Sequence, residues 1–267
     1  MLVITKIGRQ KNNKERYNIY INEEYSFAVD EGTLIKFGLQ KGNILEQHEI
    51  DDIVYEDEIA KAFNKALGYL SFQMRSEHEV RQKLLQAEYG AAVVEEAIRK
   101  LERLGFLNDE SYSKALVETR KRTAKKGPAA IRQDLIKKGI DKNLQEQVLE
   151  GFSHSEQIEI ASELAAKQMR ASNGKTPMQV KQKAQDLLLR KGYSYSVVKE
   201  VLEQLTFEQA DDEWAELVER QGDKIWRKYT AKFTGSERKN KVKQSLYQKG
   251  FPIDVINCFI EQKENEE

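Results

Sequence analysis

Four groups of residues in this chain have types and spacing that could do chemistry. The first is Gly174-Lys175-Thr176, which reads like the end of a phosphate-binding loop. Such a loop needs a glycine five residues before Gly174, but Met169 stands there, inside a helical pattern with no strand before it. Nucleotide hydrolysis is not expected from it. The second group is the histidines and cysteine. His48, His78 and His154 lie far apart, and Cys258 is the only cysteine. Neither a zinc site nor an internal disulfide is therefore expected, and no catalytic residue, cofactor or metal is assigned. Cys258, between Ile256 and Phe259, is expected to be buried and inert.

The other two groups are basic. From Thr119 to Lys142 there are nine Lys/Arg and two Asp, and from Arg220 to Gly250 ten Lys/Arg and two acids. Cations in such runs can meet phosphate. The candidate contacts for nucleic-acid phosphate are Arg120, Lys121, Arg122, Lys125, Lys126 and Arg132 in the first run and Lys224, Arg227, Lys228 and Lys232 in the second. Arg75 and Arg81 complete the set. Trp226, Tyr229 and Phe233 share one helical stripe, so they are expected to face the core and leave the flanking cations outside.

The elements that must hold these groups are mostly helices. Of 267 residues, 33% are charged and 39% hydrophobic, with a formal net charge of zero. That composition suits thin helical layers more than one thick core. It also argues against uniform electrostatic binding to nucleic acid. Acids pool at Glu49, Asp51, Asp52, Glu56, Asp57 and Glu58, and again from Glu208 to Glu219. Alternating basic and acidic blocks fit a partner that offers both protein surface and phosphate. No signal peptide and no long apolar run are read, so a cytoplasmic protein without a membrane partner, and a monomer, is the expectation.

One pattern recurs: a basic helix end, a Lys-Gly stop, then an amphipathic helix. The stops are Gly139, Gly192 and Gly250. Leu135, Leu188 and Leu246 precede them, and Ile140, Tyr193 and Phe251 follow. A fourth copy has Leu84 and Tyr89 in register, with Glu88 in place of the glycine, which predicts a different turn there. A period near 50 residues marks stacked units. The expected fold is mainly α: an elongated, curved array of about four three-helix repeats, with a small N-terminal antiparallel β-meander and helix. The expected boundaries are 1–55 for the β-rich domain, then 56–108, 109–154, 155–207 and 208–267 for the repeats and tail. Three strands are read near Leu2–Ile7, Arg16–Ile21 and Tyr25–Val29, a short helix at Glu31–Phe37, and a long helix from Tyr55 to about Gln73. Ser236 is read as the cap of the middle helix of the last repeat, and joints are expected near Asn108, Gly151–His154 and Thr206–Gln209.

The segment from Leu67 to Asp109 resembles the RecX family. The residues carrying this are Leu70, Arg75, Ser76, Glu79, Val80, Lys83 and Leu84, then Ile98, Leu101 and the string Gly105-Phe106-Leu107-Asn108-Asp109, then Tyr112. Gly127-Pro128, Arg132, Leu135, Lys138-Gly139 and Ile140 continue the pattern, which covers about residues 60–260. The chain is similar to the longer, Gram-positive-like forms. The resemblance implies a non-enzymatic regulator that binds the RecA recombinase, mostly as the filament on DNA. It implies modulation, typically inhibition, of ATP hydrolysis and strand exchange and an effect on filament growth or disassembly, in recombinational repair and the SOS response, with the sign of regulation left open. The alternative from the residues themselves is a direct binder of single- or double-stranded DNA using tandem helical units. A helix-turn-helix transcription factor and a plain helical scaffold also stay open.

Overall fold

The N-terminal strands alternate inward and outward as the sequence predicts, but they number four. In this computed structural model, which describes residues 1–172, 174–205 and 211–266, β1 (Leu2–Arg9), β2 (Arg16–Ile21) and β3 (Glu24–Asp30) form the meander. β4 (Ile44–Leu45) adds to the free edge of β1, giving an antiparallel sheet in the order β3-β2-β1-β4. Two residues cannot show an alternation, so β4 left no signal. The β2–β3 hairpin turns on Asn22 and Glu23, both with positive φ, the geometry that matches strand twist.

After α1 (Glu31–Lys36), helix α2 runs from Gln47 to Leu70 and begins well before the expected Tyr55. The Glu49 carboxylate accepts the Glu46 amide at 2.7 Å and caps the early start. Of the acidic block, Glu49 lies in the first turn of this helix, where the dipole favours negative charge. α2 serves two cores. Ile50 and Ile53 pack with Ile4, Ile19 and Val29 of the sheet, whereas Ile59, Ala62 and Ala66 join Val80, Leu84 and Leu101.

Between those stretches sits Asp57, which is not the surface acid its block implied. It is 1% exposed and accepts two bonds from Arg16 (2.8 and 3.2 Å), one from the Asp30 amide (2.9 Å) and an ion pair from Lys61 (2.7 Å). Burial would raise its pKa, but the bonds from Arg16 and Lys61 outweigh that and hold the carboxyl below its usual range.

The remaining helices come in threes. The first repeat contains α2, α3 (Glu77–Leu85) and α4 (Ala91–Arg103). The second has α5 (Asp109–Arg122), α6 (Pro128–Lys137) and α7 (Lys142–Glu150), and the third α8 (His154–Arg170), α9 (Pro177–Arg190) and α10 (Tyr195–Gln204). The fourth has α11 (Asp211–Thr230), α12 (Gly235–Gln248) and α13 (Ile253–Asn265). Thr234, not Ser236, is the N-cap of α12. The joint expected at Thr206–Gln209 lies outside the described residues.

The repeated leucines Leu84, Leu135, Leu188 and Leu246 are all fully buried. Each middle helix ends in the same turn. The Gly192 amide donates to the Leu189 carbonyl at 2.9 Å and the Tyr193 amide to the Leu188 carbonyl at 3.2 Å, a Schellman arrangement. The first repeat corrects the expectation of a different turn. Glu88 takes φ +65°, and Glu88 and Tyr89 donate to Leu85 and Leu84 in the same way. A glutamate there carries the strain of a left-handed backbone that glycine avoids.

The chain divides into two compact units, Met1–Leu116 with Leu135–Gln145, and Val117–Asp134 with Glu146–Glu267. The division passes through α5, α6 and α7 of the second repeat.

Candidate interaction surface

The Lys-Gly stops do more than end helices. Each sits against the start of the middle helix in the preceding repeat. In the first unit, Ser76, the N-cap of α3, donates its hydroxyl to the Lys138 carbonyl at 2.7 Å, and Lys138 Nζ reaches Glu79 at 2.6 Å. In the second unit, the Gly127 amide donates to the Lys191 carbonyl at 2.8 Å and the Ala129 amide to the Gly192 carbonyl at 3.1 Å. Lys191 Nζ bonds the Ala124 carbonyl at 2.8 Å. The Thr176 hydroxyl likewise donates to the Lys249 carbonyl. Gly192 has φ +89°, and a Cβ there would collide with the Ala130 amide. Gly139 and Gly250 meet His78 and Met178 in the same manner. The glycines are therefore required twice, by backbone conformation and by close approach.

Tyr193, beside the Gly192 stop, donates its hydroxyl to the Lys125 carbonyl at 3.2 Å. Burial, with a smaller effect of Glu156, pushes its pKa up to about 12, so the hydroxyl remains a donor at any physiological pH.

The string Gly105–Tyr112 is also structural. Leu107 is buried, Asn108 caps α5 through the Ser111 amide at 2.8 Å, and Asp109 accepts the Glu77 amide at 2.8 Å. Tyr112 donates to Glu79 at 3.2 Å. The string thus joins the starts of α3 and α5.

The candidate cations fall into two classes. Those of the first and second repeats are largely paired. Arg75 stacks over Tyr69 at 4.4 Å and reaches Glu79 at 3.6 Å. Arg81 pairs with Glu77 and Glu95, each at 2.7 Å. Arg120 and Lys126 share Asp134 at 2.6 and 2.7 Å, and Lys125 pairs with Glu163. Arg132 stands 4.0 Å from Glu146. Lys121 departs from the expectation altogether. It is 5% exposed, pairs with Glu118 (2.7 Å) and Glu156 (2.6 Å), and lies over the Phe152 ring. Glu118 of its own helix and Glu156 of α8 neutralise it, so it is withdrawn from the contact set. Arg122 is exposed without an acidic partner among the described residues.

The fourth repeat differs. Lys224, Arg227 and Lys232 are exposed with no acidic partner among the described residues, and Lys228 is exposed beside the Tyr229 ring. Trp226 is buried, edge-on to Phe259 and capped by the Arg238 guanidinium at 4.3 Å, as its stripe predicts. It does not offer a stacking face to bases. Cys258 is a second correction. It is exposed in a cavity of about 720 Å³ between α11 and α13, because its neighbours Ile256 and Phe259 take the core directions.

No group of three or more His, Cys, Asp or Glu able to hold a metal occurs among the described residues. None of their helices is long and apolar enough to cross a membrane.

Comparison with known proteins decides the family. Residues 2–46 match the regulatory protein RecX N-terminal domain, 62–101 the first RecX three-helix domain and 108–149 the second. The chain belongs to the RecX family of regulatory proteins. The third RecX three-helix domain matches twice, at 155–202 and 211–260, so the fourth repeat is a second copy of the third kind. Regulatory protein RecX from Bacillus cytotoxicus is 40% identical over 267 residues, 98% of both chains. That from Bacillus licheniformis is 39% identical over 98% of this chain and all of the relative. A crystal structure of regulatory protein RecX superposes with a TM-score of 0.67 at 37% identity, covering 76% of this chain and 100% of that one. RecX from Lactobacillus salivarius gives 0.54 at 35% identity, over 56% of this chain and 97% of that one.

Proposed function

We propose that this RecX-family chain acts without catalysis, as a cytoplasmic monomer that binds the RecA recombinase filament on DNA and restrains its ATP hydrolysis, strand exchange and growth. The process served is recombinational DNA repair and the SOS response. The observation that carries this reading is the division of labour among the repeats. Within each unit, a main-chain amide or a Ser or Thr hydroxyl bound to the carbonyl of a Lys-Gly stop joins neighbouring repeats and leaves helix faces for a partner. Repeat arrays use such faces for extended binding. The unpaired cations Lys224, Arg227, Lys228 and Lys232 are the part of that surface suited to filament DNA. The acidic residues Glu216 and Glu219 on the earlier turns of α11 suit basic protein surface.

RecA-dependent ATP hydrolysis on single-stranded DNA, titrated with this protein well below the recombinase concentration, tests the reading. Strong inhibition at such ratios is the expected result. An unchanged rate, with the protein retaining DNA on a gel by itself, would replace it with direct DNA binding through the same four cations.

A further inference from the structure

The Gly174-Lys175-Thr176 string has no phosphate loop around it, yet it lies where cations of two repeats converge. Lys175 and Lys183 come from the third repeat. The Lys183 ammonium beside Lys175, with Lys249 adding to its effect, holds Lys175 below the usual lysine range. Lys249 comes from the fourth repeat, at the end of α12. Its Nζ lies 3.4 Å from Gln221 Oε1, and Gln221 Nε2 in turn donates to the Gly174 carbonyl at 3.0 Å. On the same stretch of α11, the Arg220 guanidinium lies directly against Gly174. None of Lys175, Lys183, Arg220 and Lys249 has a carboxylate partner among the described residues. In the second repeat, by contrast, Asp134 stands between Arg120 and Lys126. Here the cations meet each other.

Like charges at contact range repel, and the repulsion is relieved by a multivalent anion. A carboxylate brings one charge and two oxygens. A phosphate group brings nearly two charges and three strong acceptor oxygens, enough to engage lysines and a guanidinium at once. We infer that Lys175, Lys183, Lys249 and Arg220 form a phosphate-binding site across the joint between the third and fourth repeats. Its ligand is a phosphate group of either a free phosphorylated compound or a nucleic-acid backbone. Because two of the cations belong to each repeat, an occupied site adds a further tie at this joint beside the Thr176–Lys249 contact. The site stands apart from the recombinase reading.

The test is calorimetric titration of the full chain with inorganic pyrophosphate and, separately, with a short single-stranded oligonucleotide. Both are run at matched ionic strength against a sulfate blank, for the wild type and for Lys175→Ala/Lys183→Ala. The expected result is binding above the blank, weakened at least tenfold in the double variant, with an unliganded melting temperature equal to or above that of the wild type because repulsion is removed. Pyrophosphate binding identifies a free phosphorylated ligand, and binding of the oligonucleotide alone identifies the backbone. Equal affinity in both proteins, or no binding of either probe above sulfate, overturns the site. Arg220→Lys, which keeps the charge and loses the fork, should weaken binding less than Arg220→Ala, and equal losses would also count against it. Inhibition of RecA by the same variants is scored separately, so the site can fail while the recombinase reading survives.

Discussion

The second and fourth repeats carry similar numbers of basic residues and use them in opposite ways. In the second, Arg120, Lys121, Lys125 and Lys126 are held by Asp134, Glu118, Glu156 and Glu163. In the fourth, Lys224, Arg227, Lys228 and Lys232 face solvent without such partners among the described residues. The locks differ as well. The second repeat both docks its own stop, Gly139, on α3 and receives Gly192 at the start of α6. The fourth docks Gly250 on α9, but a Cβ at Gly235, at the start of α12, would meet no atom of the described residues within 4 Å. Acids of its own helices and of α8 hold the charge of the second repeat, whereas the last one keeps its charge available.

The lock should give the largest effect. Gly192→Ala forces a left-handed alanine, costing about 1–3 kcal/mol, and adds a collision with Ala130, so its denaturation midpoint should fall clearly. Gly235→Ala, with φ +56° but open space around it, should cost only about 1 kcal/mol. Equal losses would erase the distinction between an engaged and a free end.

Charge removal comes next. Replacing Lys224, Arg227, Lys228 and Lys232 by alanine should leave thermal stability unchanged, weaken binding to the DNA-bound filament on the order of 100-fold at low salt, and reduce the salt slope by roughly one per lost phosphate contact. Replacing Arg120, Lys125 and Lys126 should do the reverse, lowering the melting temperature with little change in slope. A matching loss of slope from both sets would show that the ion pairs open on binding.

A smaller effect is expected at Lys121. Lys121→Met removes a buried cation held by two carboxylates and leaves Glu118 and Glu156 without it, which should cost about 1–2 kcal/mol in urea unfolding. The smallest concerns pH. Burial raises the Asp134 pKa, but Lys126 and Arg120 outweigh it and depress the carboxyl below its usual value. Its contribution to stability is thus present above the unfolded carboxylate pKa and lost as pH falls through the folded one. Asp134→Asn should flatten the acid limb of the melting-temperature profile, while the variants of the fourth repeat should not alter it.

Most of the fold was legible because it repeats. Leu135, Leu188 and Leu246 with Ile140, Tyr193 and Phe251 predict burial by spacing alone, and all are buried. What escaped were features set by distant partners. The ion pairs of Lys121 and Lys125 depend on Glu156 and Glu163 of α8, more than a helix away in sequence. The early start of α2 rests on two glutamates that composition groups with the surface acids. Cys258 is exposed because one position separates it from Phe259, about 100° around a helix. The candidate cations were legible as charges, but their pairing was not. The cluster at Lys175 had a trace in Gly174-Lys175-Thr176 and in the Lys-Gly stop at Lys249, without any sign that the two meet.

The stop and its receiving surface lie at opposite ends of each middle helix. A duplicated stretch of gene encoding one repeat therefore carries its own plug and its own socket. Inserted at the free end, it needs no matching change in its neighbour, since the bonds it must form are main-chain ones or a single Ser or Thr hydroxyl. The third RecX three-helix domain matches this chain twice, so two modules of one kind stand here in succession. Length in this architecture is an inheritable variable, altered in steps of one repeat.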